Sequence, residues 1–338
     1  MKQVSINHHY IPQMYLRNWS QDGKKVWVYR KLVSHKDVPC WEIKSIDRIG
    51  SMPQAYSHIH NGQETDEFEN WLNYEIETPA KPIIDKIING ESVSNDEWLR
   101  LLRFTVAQMA RTVAYFAGNY ETMLAAGLTV MKQWEQSESV FSYIAKNKQA
   151  KPLPLDEYMP IKQTILSKDE NVTTVKREVA IGRTVWLSHI KRMVNEHLSY
   201  FVKCKWYILE PADGVEWPTS DNPVICRFNK GNGVLNRGNE IVFPLSPKHL
   251  LYTCVGNNHS MDTLNKNDRF SRLVWREILQ NGFLCVYSKS RQKGMFKNCP
   301  RTVDETEYNR ILQEMQNWHG FHSKIEAKYY QNSEATAE

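Results

Sequence analysis

The hydrophobic spacing of this chain changes period twice. Between residues 24 and 60 it alternates: KKVWVYRK spaces Val26, Val28 and Arg30 two apart after the turn Gln21-Asp22-Gly23, and CWEIKSI follows. From Thr65 the period lengthens, with Phe68, Trp71, Leu72 and Ile76 at helical spacing. Thr78-Pro79 can restart a helix, because proline is tolerated in a first turn, and Asn89-Gly90 ends it. Ser94 and Glu97 make an S-x-x-E capping box for a helix over roughly 95–116. Another long helix is predicted over about 173–201, and KPLPLDEYMP before it, with three prolines, reads as a loop or seam. After Lys205 short β-like runs return in KWYILE, NPVICRF, EIVFPL and HLLYTCV. A helix over about 267–280, stopped by Asn281-Gly282, then precedes the strand FLCVYSK.

Strands, then helices, then strands predict an α+β fold. A helical middle (about 65–200) is expected to pack against a mixed or antiparallel sheet formed from N- and C-terminal strands, with a β-rich part over about 205–290. Residues 1–330 are read as a single domain and 331–338 (QNSEATAE) as a disordered tail. The 338 residues suffice for a sizeable core, and 41% hydrophobic with 24% charged residues is an ordinary globular balance. MKQVSINHHY has no apolar run behind its lysine, and no stretch approaches the ~18 apolar residues of a membrane span. A cytoplasmic location is expected, with no membrane partner and no obligate protein partner. The six cysteines are scattered without a CxxC pair and read as buried free thiols.

The net charge of +5 says little about partners, but its distribution says more. Residues 289–301 hold Lys289, Arg291, Lys293, Lys297 and Arg301 with no acid, near Tyr287 and Phe296. Lys176, Arg177, Arg183, Lys191, Arg192, Lys203 and Lys205 form a second, mostly basic set. Cations interleaved with aromatics suit a phosphate backbone with stacked or flipped bases, whereas a solvated surface is the ordinary alternative. Lys289, Arg291, Lys293 and Lys297 are the expected DNA-backbone contacts.

Three constellations carry chemistry. His8-His9-Tyr10-Ile11-Pro12-Gln13 puts two histidines before a restraining proline. One histidine can serve as general acid or hydrogen-bond donor and the other as metal ligand or phosphate contact, or both can be half-buried caps on the sheet. Thr219-Ser220-Asp221-Asn222-Pro223-Val224 is good turn chemistry and equally presents a carboxylate and an amide at a strand end. On the Ser94-capped helix, Gln108 and Arg111 flank an apolar stripe and need partners, either in a buried clasp with Glu77 or in ligand contacts. His58 and His60 share a strand face and form a possible metal pair without an evident third ligand. P-loop, GxGxxG, GxSxG and HExxH motifs are absent, which argues against the corresponding hydrolases and dehydrogenases.

HHYIPQMYLRNW, VWVYRK, Glu77 in IETPAKPIIDKI, FTVAQMARTV, TSDNPV and PLSPKHLL together resemble a widespread bacterial and phage-associated family, a domain of unknown function with the signature HHxxPQ…TSDNPV…PLSP. The resemblance spans residues 8 to about 288 and leaves the basic C-terminal extension outside; Val113 stands where a proline is expected, which predicts an uninterrupted helix there. It implies a relation to phage-defence DNA glycosylases that remove glucosylated cytosine, with phage DNA as partner and no cofactor. Asp221, Asn222, His8 and His9 would then be catalytic, and Tyr10, Gln13, Gln108, Arg111 and Ser220 would bind substrate. A metal-dependent nuclease using His8, His9, Asp221 and Glu77 around Mg²⁺ or Mn²⁺ is the competing expectation. A non-catalytic nucleic-acid-binding or phage-sensing module is the third.

Overall fold

A computed structural model describes residues 7–60, 63–136, 161–168, 173–179, 182–227, 236–256 and 262–330. The Pro-rich 151–160 segment and the 331–338 tail lie outside the described residues. The alternating runs at the two ends of the chain pair with each other. Lys25–Arg30 lies between Glu42–Ser45 and Cys285–Ser288, and Thr219–Ser220 adds to the outer side of the last, all antiparallel. Val28 stands opposite Tyr287 in this shared sheet. A second antiparallel sheet runs in the order Tyr207–Leu209, His249–Cys254, Glu240–Ser246, Ile225–Arg227. The fold is α+β, as the pattern predicts.

The helical middle opens with one continuous rod made of Glu67–Trp71, a π-helical stretch Leu72–Glu77, and Thr78–Ile88. Pro79 and Pro82 lack the N–H groups that would bond the carbonyls of Glu75 and Thr78, and the wider π turn lies directly before them. Phe68, Leu72, Ile76 and Ala80 face the core, while Glu69, Asn73 and Glu77 keep contact with solvent. Asn95–Ala110 begins with the predicted capping box: Ser94 Oγ accepts from Glu97 N–H and Glu97 Oε2 accepts from Ser94 N–H at 2.8 Å. Such a cap stabilises by about 1 kcal/mol. The buried face of this helix meets the second sheet, with the Phe104 ring centroid 5.9 Å from that of Phe243, and Tyr15 from the N-terminal segment stacks on the same Phe243 ring at 5.3 Å.

Three expectations are corrected. The helix over 95–116 is broken at Arg111-Thr112, after which Val113–Gln136 begins. Thr112 Oγ1 accepts from the Tyr115 N–H at 3.1 Å, so a threonine cap restarts the helix without any proline. The helix over 173–201 is split as well. Thr173–Val179 is a strand paired with Ile161–Lys168, and the helix starts only at Arg183. The β-branched residues Thr173, Thr174, Val175 and Val179 favour the extended form. The cysteines are free as expected, but only Cys299 is buried and Cys40 is exposed.

A long C-terminal helix, Glu305–Tyr330, completes the fold. It is held by Arg183, read from the sequence as part of a basic surface and found fully buried. Its guanidinium pairs with Glu326 at 2.6 Å and contacts His319 at 2.9 Å, because a charge taken out of water needs such partners. Among the described residues no helix is long and apolar enough to cross a membrane.

Candidate functional site

The HHYIPQ segment is built as a strand end followed by a sharp entry into a helix. Asn7–His9 pairs antiparallel with Ser51–Pro53, and Ile11 N–H donates to the Gly50 carbonyl at 3.0 Å. Gly50 has φ +60°, and a Cβ there would meet Ile11 Cβ at 2.9 Å, so both conformation and space require glycine. Pro12 ends the extended stretch, and its carbonyl accepts from Tyr15 and Leu16 as the short helix Gln13–Leu16 begins.

Gln108 and Arg111 clasp this turn by its backbone. Gln108 Nε2 donates to the Tyr10 carbonyl at 3.0 Å, and Arg111 donates from Nε to the same oxygen and from Nη2 to the His9 carbonyl at 2.5 Å. The remaining arm of Arg111, Nη1, lies 2.7 Å from Glu77 Oε1. Both side chains are fully buried, so of the two expectations for them the structure carries the clasp with Glu77. Tyr10 is buried too.

The two histidines have different surroundings. His8 is fully buried: its Nδ1 accepts from the Tyr56 N–H at 3.0 Å, and its Nε2 lies 3.5 Å from Asp66 Oδ1. His9 is half-buried, and burial together with the Arg111 charge holds its pKa below the usual histidine value, so the ring is neutral at pH 7. Its Nε2 lies 3.4 Å from Gln13 Nε2.

His9 and Gln13 form one wall of a cleft of about 560 Å³. The π-distorted rod supplies the opposite wall with Glu69, Asn73 and Glu77, and Arg17 and Lys81 stand at its sides. Glu69 is the unexpected member. Its Oε2 is out of contact with solvent and takes no hydrogen bond among the described residues. Burial pushes its carboxyl up to about 8; the charge of Arg111 pulls it down, and those of Glu77 and Asp66 push it further up. Glu69 is therefore protonated at neutral pH, beside a second carboxylate that is ion-paired. Such a pair can give a proton on one side and take one on the other. The sequence signal was the spacing of Glu69, Asn73 and Glu77 four apart, which reads as a solvated helix face until the HHYIPQ turn covers it.

TSDNPV docks on the same N-terminal segment but turns its polar groups elsewhere. Tyr15 Oη bonds with Thr219 Oγ1 at 2.7 Å and donates to the Pro244 carbonyl of the PLSP stretch at 2.6 Å. Trp19 Nε1 donates to the Trp217 carbonyl at 2.8 Å, and Asn18 Nδ2 to the Leu245 carbonyl. The three signature segments thus converge. Asp221, however, is buried and accepts three backbone N–H groups, from Phe283 and Leu284 at 2.7 Å and Cys285 at 2.9 Å. Burial pushes its carboxyl up to about 6, against the pull of those three amides. Asn222 exchanges hydrogen bonds with Asn281 and accepts from Thr112 Oγ1, and Ser220 Oγ accepts from the Asn222 N–H. The cleft is lined by His9 and Gln13, but not by His8, Asp221, Asn222 or Ser220.

The set His8, His9, Asp221 and Glu77 is accordingly not gathered around one point, and among the described residues no group of three or more His, Cys, Asp and Glu is arranged to hold a metal ion. His58 lies on the predicted strand, buried, with Nδ1 3.4 Å from the Tyr56 carbonyl; the side chain of His60 lies outside the described residues. Lys289, Arg291, Lys293 and Lys297 are exposed, with Arg291 stacked over Trp27 at 4.4 Å.

Fold and cleft together define an α+β protein whose cleft, between its N-terminal turn and a π-distorted helix, is lined by the carboxyl groups of Glu69, Glu77 and Asp85. The chain belongs to the family described as protein of unknown function DUF4238, whose model matches residues 7–314. That range takes in the basic 289–301 segment, which the signature had left outside the resemblance. No curated protein and no solved structure matches the chain.

Proposed function

We propose that the protein is a phage-defence DNA glycosylase that hydrolyses the N-glycosidic bond of a modified, glucosylated cytosine and leaves an abasic site, with Glu69 and Glu77 as its working carboxylates. The observation that carries this reading is that the two line one cleft in opposite surroundings. Glu77 lies 2.7 Å from a buried guanidinium, whereas Glu69 has an oxygen shielded from water and without a hydrogen-bond partner. The resemblance to the HHxxPQ…TSDNPV…PLSP family supplies the substrate class, and the exposed cations of the 289–301 segment suit its phosphates.

In this mechanism the C1′–N1 bond breaks through an oxocarbenium-like state as Glu69 gives its proton to the departing base. Glu77 faces the positive charge on the sugar and takes a proton from the attacking water, whose oxygen bonds to C1′. One water is consumed, and a free base and an abasic sugar are formed. The proton taken by Glu77 returns through solvent to Glu69. Neutral His9 and the Gln13 amide offer hydrogen bonds to the extruded base. Asp221 and Asn222 act as positioning residues that fix the neighbouring turn, and Gln108 and Arg111 fix the HHYIPQ backbone.

The test incubates purified protein with unmodified, hydroxymethylated and glucosylated DNA, with and without EDTA, and analyses products by mass spectrometry. The expected result is free modified base from an unbroken strand, unaffected by EDTA, with release slowed roughly 10²–10⁴-fold in Glu69→Gln. Strand ends that vanish with EDTA would replace this reading by a metal-dependent nuclease. Salt-sensitive binding without any product would replace it by a nucleic-acid-binding module.

A further inference from the structure

A second cleft, of about 630 Å³, lies between the helix Asp268–Asn281, the loop carrying Gly214-Val215-Glu216 and the acid-free stretch after Ser288. Its lining includes Arg272 and Arg276 from the helix, Lys293 from the stretch and Lys248 from the second sheet's hairpin, against Glu216 as the one carboxylate. Two of these cations are already engaged. Arg272 pairs with Asp268 at 2.9 Å, and Lys248 Nζ donates to the Val215 carbonyl at 2.8 Å. The side chains of Arg276 and Lys293 make no ion pair or hydrogen bond among the described residues. Trp275 lies on the same wall, its indole N–H donating to Gln292 Oε1, and Gln292 Nε2 in turn donates to the Glu216 carbonyl.

We propose that this cleft is a phosphate-binding site, separate from the carboxylate cleft, in which Arg276 and Lys293 hold the anion. Like charges converge there from a helix and from a distant loop. A solvated basic surface gains nothing from being folded into a concave pocket, whereas concentrated cations between walls of low polarizability attract an anion strongly. Hydroxyl and amide groups from Ser290 and Asn298 line the same space and can complete the hydrogen bonds of a phosphoryl group. The required chemistry is a phosphate ester or polyphosphate, which both a free phosphorylated small molecule and a nucleic-acid backbone carry. Binding at this cleft does not depend on the carboxylate chemistry, because neither Glu69 nor Glu77 lines it, although Lys293 is also one of the 289–301 cations that the glycosylase reading assigns to DNA phosphates.

The experiment titrates the full chain with inorganic pyrophosphate in one arm and a short unmodified single-stranded DNA in the other, using calorimetry and tryptophan fluorescence. Expected results are a fluorescence change that Trp275→Phe abolishes without loss of calorimetric binding, and a roughly tenfold weaker affinity in Arg276→Glu and in Lys293→Glu, a penalty of about 1.4 kcal/mol. Both residues are exposed, so the variants are expected to keep the wild-type Tm. Pyrophosphate binding that does not compete with DNA assigns the cleft to a small phosphorylated ligand. DNA binding lost in both variants, with the salt slope reduced by about one per removed cation, assigns it to the nucleic-acid backbone. If neither probe binds, or both variants bind like the wild type, the proposal is overturned. In Glu69→Gln binding is expected to persist, which keeps a failure here distinct from a failure of the glycosylase reading.

Discussion

Half-buried Glu69 and buried Asp221 both have carboxyls raised by desolvation, yet they do different things. Glu69 takes no hydrogen bond at Oε2, whereas both oxygens of Asp221 are filled by backbone amides. For Glu69 the folded-state value of about 8 stands above the ordinary 4.5. Between those values the native protein keeps a proton that the unfolded chain has released, so stability falls as pH rises through that window. Denaturation curves collected across it are expected to show this decline in the wild type and to lose that component in Glu69→Gln. An unchanged slope in the variant would mean that Glu69 titrates normally. Asp221→Asn presents one acceptor oxygen and an NH₂ group where three N–H donors converge. A loss of about 2 kcal/mol or more in urea unfolding is expected, since hydrogen bonds to a charged acceptor are worth about 1.5–3 kcal/mol each. Full stability with abolished turnover would return Asp221 to the chemistry.

At the scale of elements, the break between Asn95–Ala110 and Val113–Gln136 connects the two signature motifs. Arg111 reaches the HHYIPQ turn, and the next residue, Thr112, donates to Asn222 of TSDNPV while capping the following helix. Thr112→Val keeps the shape and removes both bonds; a cost of about 1–2 kcal/mol is expected, measured as a lower urea midpoint. This junction was not legible in the sequence, because VAQMARTVAY carries neither glycine nor proline and a threonine inside a helical pattern reads as helix. The capping box at Ser94 and the stop at Asn89-Gly90 were legible, since their chemistry is confined to a few adjacent residues. The HHYIPQ motif marks His9 and Gln13 as site residues, but not Glu69. Its burial depends on a turn far away in the chain, which leaves no local mark. The end of the helix Asp268–Asn281 illustrates the same limit: Lys31, in the bend after the strand Lys25–Arg30, donates to the carbonyls of Leu279 at 2.9 Å and Gln280 at 3.1 Å.

For the whole molecule, the order of hydrophobic periods was enough to predict the α+β class and the union of the terminal strands. It did not reveal the helix Glu305–Tyr330, whose attachment rests on the buried Arg183–Glu326 pair. Glu326→Ala leaves the guanidinium without its main counter-charge, and a loss of about 3–5 kcal/mol is expected. Faster amide exchange over 305–330 in the variant, ahead of global unfolding, is the accompanying signature; uniform exchange rates would show that this helix is held by other contacts.

The strand Lys25–Arg30 has an early partner in Glu42–Ser45, but its other edge is closed only by Cys285–Ser288. During synthesis at about 5–20 residues per second, that edge stays open on the ribosome for on the order of tens of seconds. A nascent chain in this condition offers a template for pairing with its neighbours on a polysome. Shielding of the first strands by a holding chaperone until the last ones emerge is therefore expected to raise the yield of folded chain, measured as soluble protein with and without the chaperone.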